Sequence, residues 1–315
     1  MKAVFLDAAT LGKDVDLGPI EEVAGGLTCY DGTAPEQVAE RIRGFDTVLV
    51  NKVVLGREHF AANPELKTIA VVATGLNNID LPAAREHGIE VLNVNHYGRS
   101  TVAQHTMALI LALATRLLDY HRDARNGTWA RSEMFCLMNH PIMELEGKTL
   151  GIVGYGDLGQ GVAERARAFG MNVVLGCRPG QAAGEVSGLP RIPLDELLKQ
   201  ADVLTLHCLL TDETRHLIGA RELALMKSSA LLINTSRGGL VDESALADAL
   251  RKGEIAGAGF DVLTEEPPRR GNPLLADDIP NLILTPHSAW ASREARQRIV
   301  GITADNLAAC EPAFR

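Results

Sequence analysis

The sequence predicts an α/β protein of two doubly wound parallel-sheet domains, and three observations carry that prediction. Short apolar strands alternate with amphipathic helical stretches, a rhythm that buries a parallel sheet between helices. At 315 residues the chain exceeds what one hydrophobic core of ordinary size organises. Finally, Thr149-Leu150-Gly151-Ile152-Val153-Gly154-Tyr155-Gly156-Asp157-Leu158-Gly159 reads as an apolar strand running into glycines spaced G-x-G-x-x-G, then into a helix over 160–169.

Taken in order, strands are expected at 3–6, 47–50, 69–72 and 90–94, with helical patterns at 35–42 and 81–86. Asn77-Asn78, after Thr74-Gly75, reads as a turn at the C-terminal edge of that sheet, where open α/β sheets bind ligands. Residues 100–125 read as one long helix, with apolar residues at Val102, Met107, Ile110, Leu111, Leu117 and Leu118. Its place just before the glycines suits a connector between domains. The irregular stretch 126–146 carries Trp129, Phe135 and Met138. A plain reading makes it a surface loop with a few buried anchors. A sharper one packs it against a second subunit, because exposed aromatic anchors mark interfaces.

The βαβ rhythm then resumes, with strands expected at 149–153, 171–175, 202–206, 230–234, 255–260 and 282–285. About six strands are what a doubly wound dinucleotide domain requires. A helix over 292–309 closes the pattern. Because the long helix and the last helix flank the second βαβ set, the chain is expected to cross back, with the last helix joining the first domain or the hinge. The domains are therefore expected at 1–99 with 290–315, and at 100–289.

Each glycine of the turn has a chemical reason. Gly154 allows a tight turn with positive φ, Gly156 lets a pyrophosphate approach the backbone, and Gly159 lets the helix pack close to the strand. A second strand at the right distance supplies the context that a lone G-x-G-x-x-G lacks, so a Rossmann dinucleotide site is expected rather than an ordinary βα turn. Such sites usually place a carboxylate ~20 residues beyond the glycines, on the adenine ribose. Here Cys177 stands 18 residues after Gly159, and Arg178 follows it. A carboxylate would repel a 2′-phosphate, whereas a small neutral residue beside a guanidinium would bind one. NADP(H) is thus expected ahead of NAD(H), against the bland reading of Arg178 as a solvent-facing side chain.

Composition narrows the class. The net charge of −9 (31 basic against 40 acidic residues) and the lack of a basic cluster argue against a nucleic-acid partner. The five cysteines, at 29, 136, 177, 208 and 310, have no CxxC spacing and read as reduced thiols, with no metal site expected. Asp7 comes too early for a signal peptide, and no apolar run approaches the ~20 residues that span a bilayer. A soluble, cytoplasmic protein without a membrane partner is expected.

Three late clusters end strands of the second set: Asn234-Thr235-Ser236-Arg237-Gly238-Gly239, Asp261-Val262-Leu263-Thr264-Glu265-Glu266-Pro267, and Thr285-Pro286-His287-Ser288-Ala289-Trp290. Singly, each has a bland reading: an exposed arginine, a solvated acidic loop, a satisfied histidine. Together they project from the ligand edge of one sheet. An arginine, a carboxylate and a histidine can bind an anion, polarise a carbonyl and deliver a proton.

These clusters, with Val72-Ala73-Thr74-Gly75-Leu76-Asn77-Asn78-Ile79-Asp80 and Ser100-Thr101-Val102-Ala103-Gln104-His105-Thr106, make the chain resemble the D-isomer-specific 2-hydroxyacid dehydrogenase family over nearly its full length. Within it, the resemblance is to the glycerate dehydrogenase/hydroxypyruvate reductase branch. It implies a flavodoxin-like substrate domain with the Rossmann domain inserted. It further implies that Arg237 clamps the substrate carboxylate and carbonyl, and that Glu266 partners the catalytic His287. The backbone at Thr74, Gly75, Leu76 and Asn77, with Lys52, would hold the substrate. Thr74, Gly154, Gly156, Asp157, Leu158, Gly159, Cys177, Arg178, Cys208, Ser236, Arg237, Asp261, His287 and Ala289 would line the cofactor.

Cys177 departs from the family's aspartate, which puts NADP(H) ahead. Leu209 replaces a usual proline, which points to a looser loop beneath the cofactor ribose, and the adjacent His207 reads as structural. The expected activity is reduction of a small 2-oxo acid, hydroxypyruvate or glyoxylate, by a homodimer. A dinucleotide-sensing regulator is the rival of another class, but it has no need of the His287/Glu266/Arg237 set. A dehydrogenase of another 2-oxo acid, such as pyruvate, is the nearer alternative. A formate-type enzyme is disfavoured because that branch pairs its histidine with glutamine. A phosphoglycerate dehydrogenase with a regulatory tail is disfavoured by the short C-terminus.

Overall fold

The structure, a computed structural model, describes residues 1–310. It divides into two compact units: Met1–Gly98 with the chain from Ala291 onward, and Arg99–Trp290. In the first unit, β1 (Ala3–Phe5), β2 (Leu27–Cys29), β3 (Thr47–Val50), β4 (Thr68–Val71) and β5 (Glu90–Asn93) form one parallel sheet, ordered β2-β1-β3-β4-β5. This is the flavodoxin-like order. Helices α1 (Gly18–Ala24), α2 (Val38–Arg41), α3 (Arg57–Ala62) and α4 (Leu81–Glu86) connect the strands. β1, β3 and β4 are buried at every position, as parallel strands covered on both faces must be. The sequence reading missed β2, a three-residue edge strand with two exposed positions and no apolar run to mark it.

The second unit begins with α5 (Arg99–Ala114) and α6 (Leu117–Arg125). The single helix expected over 100–125 is therefore incorrect. The chain breaks at Arg116, which turns left-handed at φ +52°, and the two helices bend by 58°. The apolar count ran across this break because Leu117 and Leu118 are apolar yet exposed. Side-chain character alone does not separate a core stripe from a surface one.

Next come β6 (Thr149–Val153), α7 (Asp157–Ala168), β7 (Asn172–Gly176), β8 (Gly184–Val186), β9 (Leu189–Ile192), α8 (Leu194–Gln200) and β10 (Val203–Leu206). They are followed by α9 (Ala220–Leu225), β11 (Leu231–Asn234), α10 (Glu243–Lys252), β12 (Gly257–Phe260) and β13 (Leu282–Leu284). The sheet order is β13-β12-β11-β10-β6-β7-β9-β8, parallel except for β8 against β9. The six expected strands are all present, and the β8–β9 hairpin is an addition. The hairpin turns at Ser187-Gly188, both with positive φ (52° and 75°), the requirement of a tight two-residue turn.

α11 (Arg293–Cys310) returns to the first unit and packs on α1. Arg296 anchors it through the Leu11 carbonyl (2.6 Å) and the Asp14 carboxylate (2.5 and 2.9 Å). Among the described residues, no single helix is long and apolar enough to cross a membrane. Phe135 and Met138 are 86% and 82% exposed, and Trp129 is also exposed, so the plain reading of 126–146 as carrying buried anchors is not met.

Candidate active site

The C-terminal ends of the second sheet gather the glycine turn and the three late clusters. Gly154 has φ +100°, and a Cβ there would collide with the backbone of His207 and Cys208. A Cβ on Gly159 would collide with the Gly154 carbonyl oxygen. Gly156 differs: a Cβ there would meet nothing within 4 Å, so its backbone faces open space at the start of α7. Asp157 opens that helix and pairs with Arg99 at 3.3 Å, while Leu158 is half-buried behind it.

A cavity of about 380 Å³ adjoins this turn, lined by Gly154, Gly156, Gly176, Arg178, Arg191 and Cys208 among others. No carboxylate lines it. Cys177 directly follows β7, and its amide donates to Ile192 O of the hairpin at 2.9 Å. Gln181 accepts from the Arg178 amide at 3.1 Å, fixing the backbone that carries the guanidinium. Burial raises the Cys208 thiol's pKa, although the nearby Arg178 charge acts the other way. His207 is held neutral, its pKa pushed down to about 4 by burial, with Nε2 3.0 Å from Thr205 Oγ1. Leu209 is exposed on the loop that follows.

The candidate catalytic cluster is built from three strand ends. Arg237 follows β11 and is exposed, its guanidinium donating to its neighbour Ser236 O at 2.8 Å. Ser236 is itself tied down, its hydroxyl donating to Cys208 O at 2.8 Å. Glu266 follows β12, and its Oε2 lies 2.6 Å from His287 Nδ1, beyond β13. Its Oε1 accepts from the Leu263 amide at 2.8 Å. Burial works to raise the Glu266 pKa, but the His287 and Leu263 hydrogen bonds, with the charges of His287 and Arg237, leave it below the ordinary carboxylate value. His287 has left-handed backbone (φ +52°), and its amide donates to Asp261 O at 2.7 Å.

Asp261 holds that loop. It is 1% exposed, and its carboxylate accepts from Ser288 N (2.9 Å), Ala289 N (2.8 Å) and Thr285 Oγ1 (2.5 Å). Since the Thr285 proton goes to Asp261, His105 Nε2, 2.9 Å from the same hydroxyl, must be the donor in that contact. His105 stands on α5, which gives that helix a place in the site's support.

The first unit presents its own strand ends. The buried Asp7 carboxylate accepts from Asn51 N (2.8 Å), Lys52 N (2.7 Å) and Val53 N (3.1 Å), ordering the backbone that carries Lys52. Thr74 Oγ1 donates to Val94 O at 2.7 Å. The amides of Thr74, Gly75, Leu76 and Asn77 have no acceptor among the described residues, leaving a run of free donors. Among the described residues, no group of three or more His, Cys, Asp or Glu could hold a metal ion.

Comparison with known proteins identifies the architecture. The sequence pattern of the D-isomer specific 2-hydroxyacid dehydrogenase NAD binding domain matches residues 107–289. The chain belongs to the D-isomer-specific 2-hydroxyacid dehydrogenase family. It is 45% identical to a glycerate dehydrogenase of Methylorubrum extorquens, over 89% of this chain and 87% of that one. It is 38% identical to a hydroxypyruvate reductase of Blautia hydrogenotrophica, over 98% and 96% of the two chains. Among solved structures, an acyclic imino acid reductase in complex with NADPH and D-Arg superposes with a TM-score of 0.86 at 29% identity, covering 100% of this chain and 98% of that one.

For this D-2-hydroxyacid dehydrogenase, the second unit brings Arg237, Glu266, His287, Ser236, Asp261 and Ala289 to one sheet edge, with the glycine turn and Cys208 beside them. Sequence reasoning missed Arg191 and Gln181 in the cavity, Asp7 beneath Lys52, and the Thr285–His105 support of Asp261. The Ser187-Gly188 dipeptide was the available signal for the hairpin that carries Arg191. Asp7 and His105 had no such signal, because their partners are distant in sequence.

Proposed function

We propose that this dehydrogenase reduces hydroxypyruvate or glyoxylate to the corresponding 2-hydroxy acid, with NADPH preferred over NADH. The observation that carries the reading is the 2.6 Å contact between His287 and Glu266, close to the exposed guanidinium of Arg237. The glycerate dehydrogenase and hydroxypyruvate reductase relatives support the substrate class. The cavity beside the turn fits a dinucleotide: Gly156 leaves open space, and Arg178 offers a cation where a carboxylate would repel a 2′-phosphate. The relative solved with NADPH supports the same cofactor class.

A bound nicotinamide dinucleotide supplies the hydride. With Nδ1 engaged by Glu266, His287 has Nε2 free to donate a proton to the carbonyl oxygen as charge builds there. Arg237 holds the substrate carboxylate and carbonyl through its planar fork and offsets that charge. The free amides at 74–77, with Lys52, are proposed to bind the substrate carboxylate. Asp261 keeps the His287 loop in place beside the nicotinamide half of the cofactor.

We also propose a C₂ homodimer using 126–146, whose exposed Phe135 and Met138 suit an apolar interface. A cytoplasmic setting agrees with five cysteines that are all free. The test is a panel of 2-oxo acids run with NADPH and with NADH. Turnover should be highest with hydroxypyruvate or glyoxylate and NADPH. Faster turnover of pyruvate, or no turnover of any 2-oxo acid, overturns the substrate assignment.

A further inference from the structure

We infer that Arg191, on the β8–β9 hairpin, is a second cofactor-discriminating residue, contacting the 2′-phosphate of NADPH together with Arg178. This rests on the NADPH reading and extends it to a residue on a separate element. Arg191 and Arg178 line the same cavity, with Gln181 and no carboxylate. The hairpin is joined directly to β7 and to the Cys177-Arg178 segment that follows it: Arg191 pairs with Leu175, and the Cys177 amide donates to Ile192 O at 2.9 Å. Arg191 therefore stands on the strand next to β7, and Arg178 lies two residues beyond the end of β7.

The remaining bonds of Arg191 point the same way. Its Nε donates to Ala182 O at 2.9 Å, and among the described residues it has no carboxylate partner. Arg178 likewise forms no ion pair among the described residues. Arg221 and Arg251 of the same unit, by contrast, pair with Asp195 and Asp278. Two half-buried guanidinium groups left without counter-charge in one concavity form an anion site, and a planar fork suits a phosphate. The bond to Ala182 pre-orders the Arg191 side chain, so less entropy is lost when a phosphate is bound.

The experiment measures dissociation constants for NADPH and NADH by nucleotide fluorescence, and for adenosine 2′,5′-bisphosphate against 5′-AMP by calorimetry. The proteins are wild type, Arg178→Ala, Arg191→Ala and Arg191→Lys. Arg191→Ala should weaken NADPH and the bisphosphate about ten-fold or more, leaving NADH and 5′-AMP unchanged. Arg191→Lys, which keeps the charge without the fork, should fall between. If Arg191→Ala weakens all four ligands alike, the residue only supports the hairpin and the inference fails. It also fails if Arg178→Ala removes the NADPH preference while both Arg191 variants retain it; the cofactor reading then stands. If wild type itself binds NADH as tightly as NADPH, the cofactor reading falls, and the Arg191 assignment falls with it. Should Arg191→Ala not fold, the Lys variant decides by the same ratio.

Discussion

Glu266 is subject to two opposing influences. Its partial burial disfavours the charged carboxylate, and the bonds and charges of His287, Leu263 and Arg237 favour it and prevail. A carboxyl with lowered pKa stays ionised until the pH falls below the ordinary carboxylate range, so Glu266 is charged near neutrality, where His287 is proposed to donate its proton. The ionised carboxylate holds the His287 ring through Nδ1 and leaves Nε2 toward the proposed substrate. Glu266→Gln should lower kcat by loosening that hold on the ring, while His287→Ala should lower kcat by ~10²–10⁴-fold. Arg237→Ala should damage kcat and KM for the 2-oxo acid together, sparing cofactor binding. Near-full turnover in Glu266→Gln or in His287→Ala refutes these roles.

His207 provides a pH effect on stability. Its folded pKa of about 4 lies below the ordinary value near ~6.5, so the unfolded chain binds more protons between these limits. The stabilisation is fully present above pH ~6.5 and is lost as the pH falls toward about 4. Unfolding free energies from urea titrations should decline over that window by about 3 kcal/mol, and His207→Gln should flatten the decline. That Arg237, Glu266 and His287 meet at one sheet edge was legible in the sequence because each follows a strand end. The support from His105, Thr285 and Asp7 was not, because it depends on which side chains meet in space.

At the scale of elements, the strand–turn–helix unit around the glycines shows why one spacing serves two ends. Gly159 is required by packing, since a Cβ would collide with the Gly154 carbonyl oxygen. Gly156 is required by nothing in the protein, since its φ of −85° suits any residue and the space beyond is open. Gly159→Ala should therefore lower stability by roughly 1–3 kcal/mol, the usual cost of overpacking. Gly156→Ala should keep the wild-type Tm and lose dinucleotide affinity. Calorimetry and a cofactor titration on the two variants check this, and a Tm loss in Gly156→Ala refutes it. The strands of both sheets were legible from continuous apolar runs. β2 and the β8–β9 hairpin were not, because edge strands are short and half-exposed. The break between α5 and α6 was hidden by apolar residues that continue past it on the surface.

At the scale of the whole molecule, the chain forms one unit, enters a second, and returns by α11 to the first. The order of elements made that return legible, and the anchoring of α11 through Arg296 to Leu11 and Asp14 did not appear until the fold was known. Association belongs to the same scale. The 126–146 segment leaves Trp129, Met134, Phe135, Met138 and Ile142 exposed on one continuous piece of chain. Light scattering should give a dimer mass at micromolar concentration, and Phe135→Asp with Met138→Asp should give a monomer that keeps its fold by circular dichroism. A monomeric wild type refutes the assignment.

The sequence by itself determined the fold class, the glycine turn and the identity of the arginine, carboxylate and histidine at the ligand edge. These depend on local periodicity and on spacing along the chain, which the residue order states directly. Only the tertiary structure decided that Asp261 binds the loop of His287, that Arg191 shares a cavity with Arg178, and that residue 116 divides a helix. Those facts depend on burial and on contacts between residues far apart in the chain, where hydrogen bonds and charges take their strength from surroundings that no local pattern encodes.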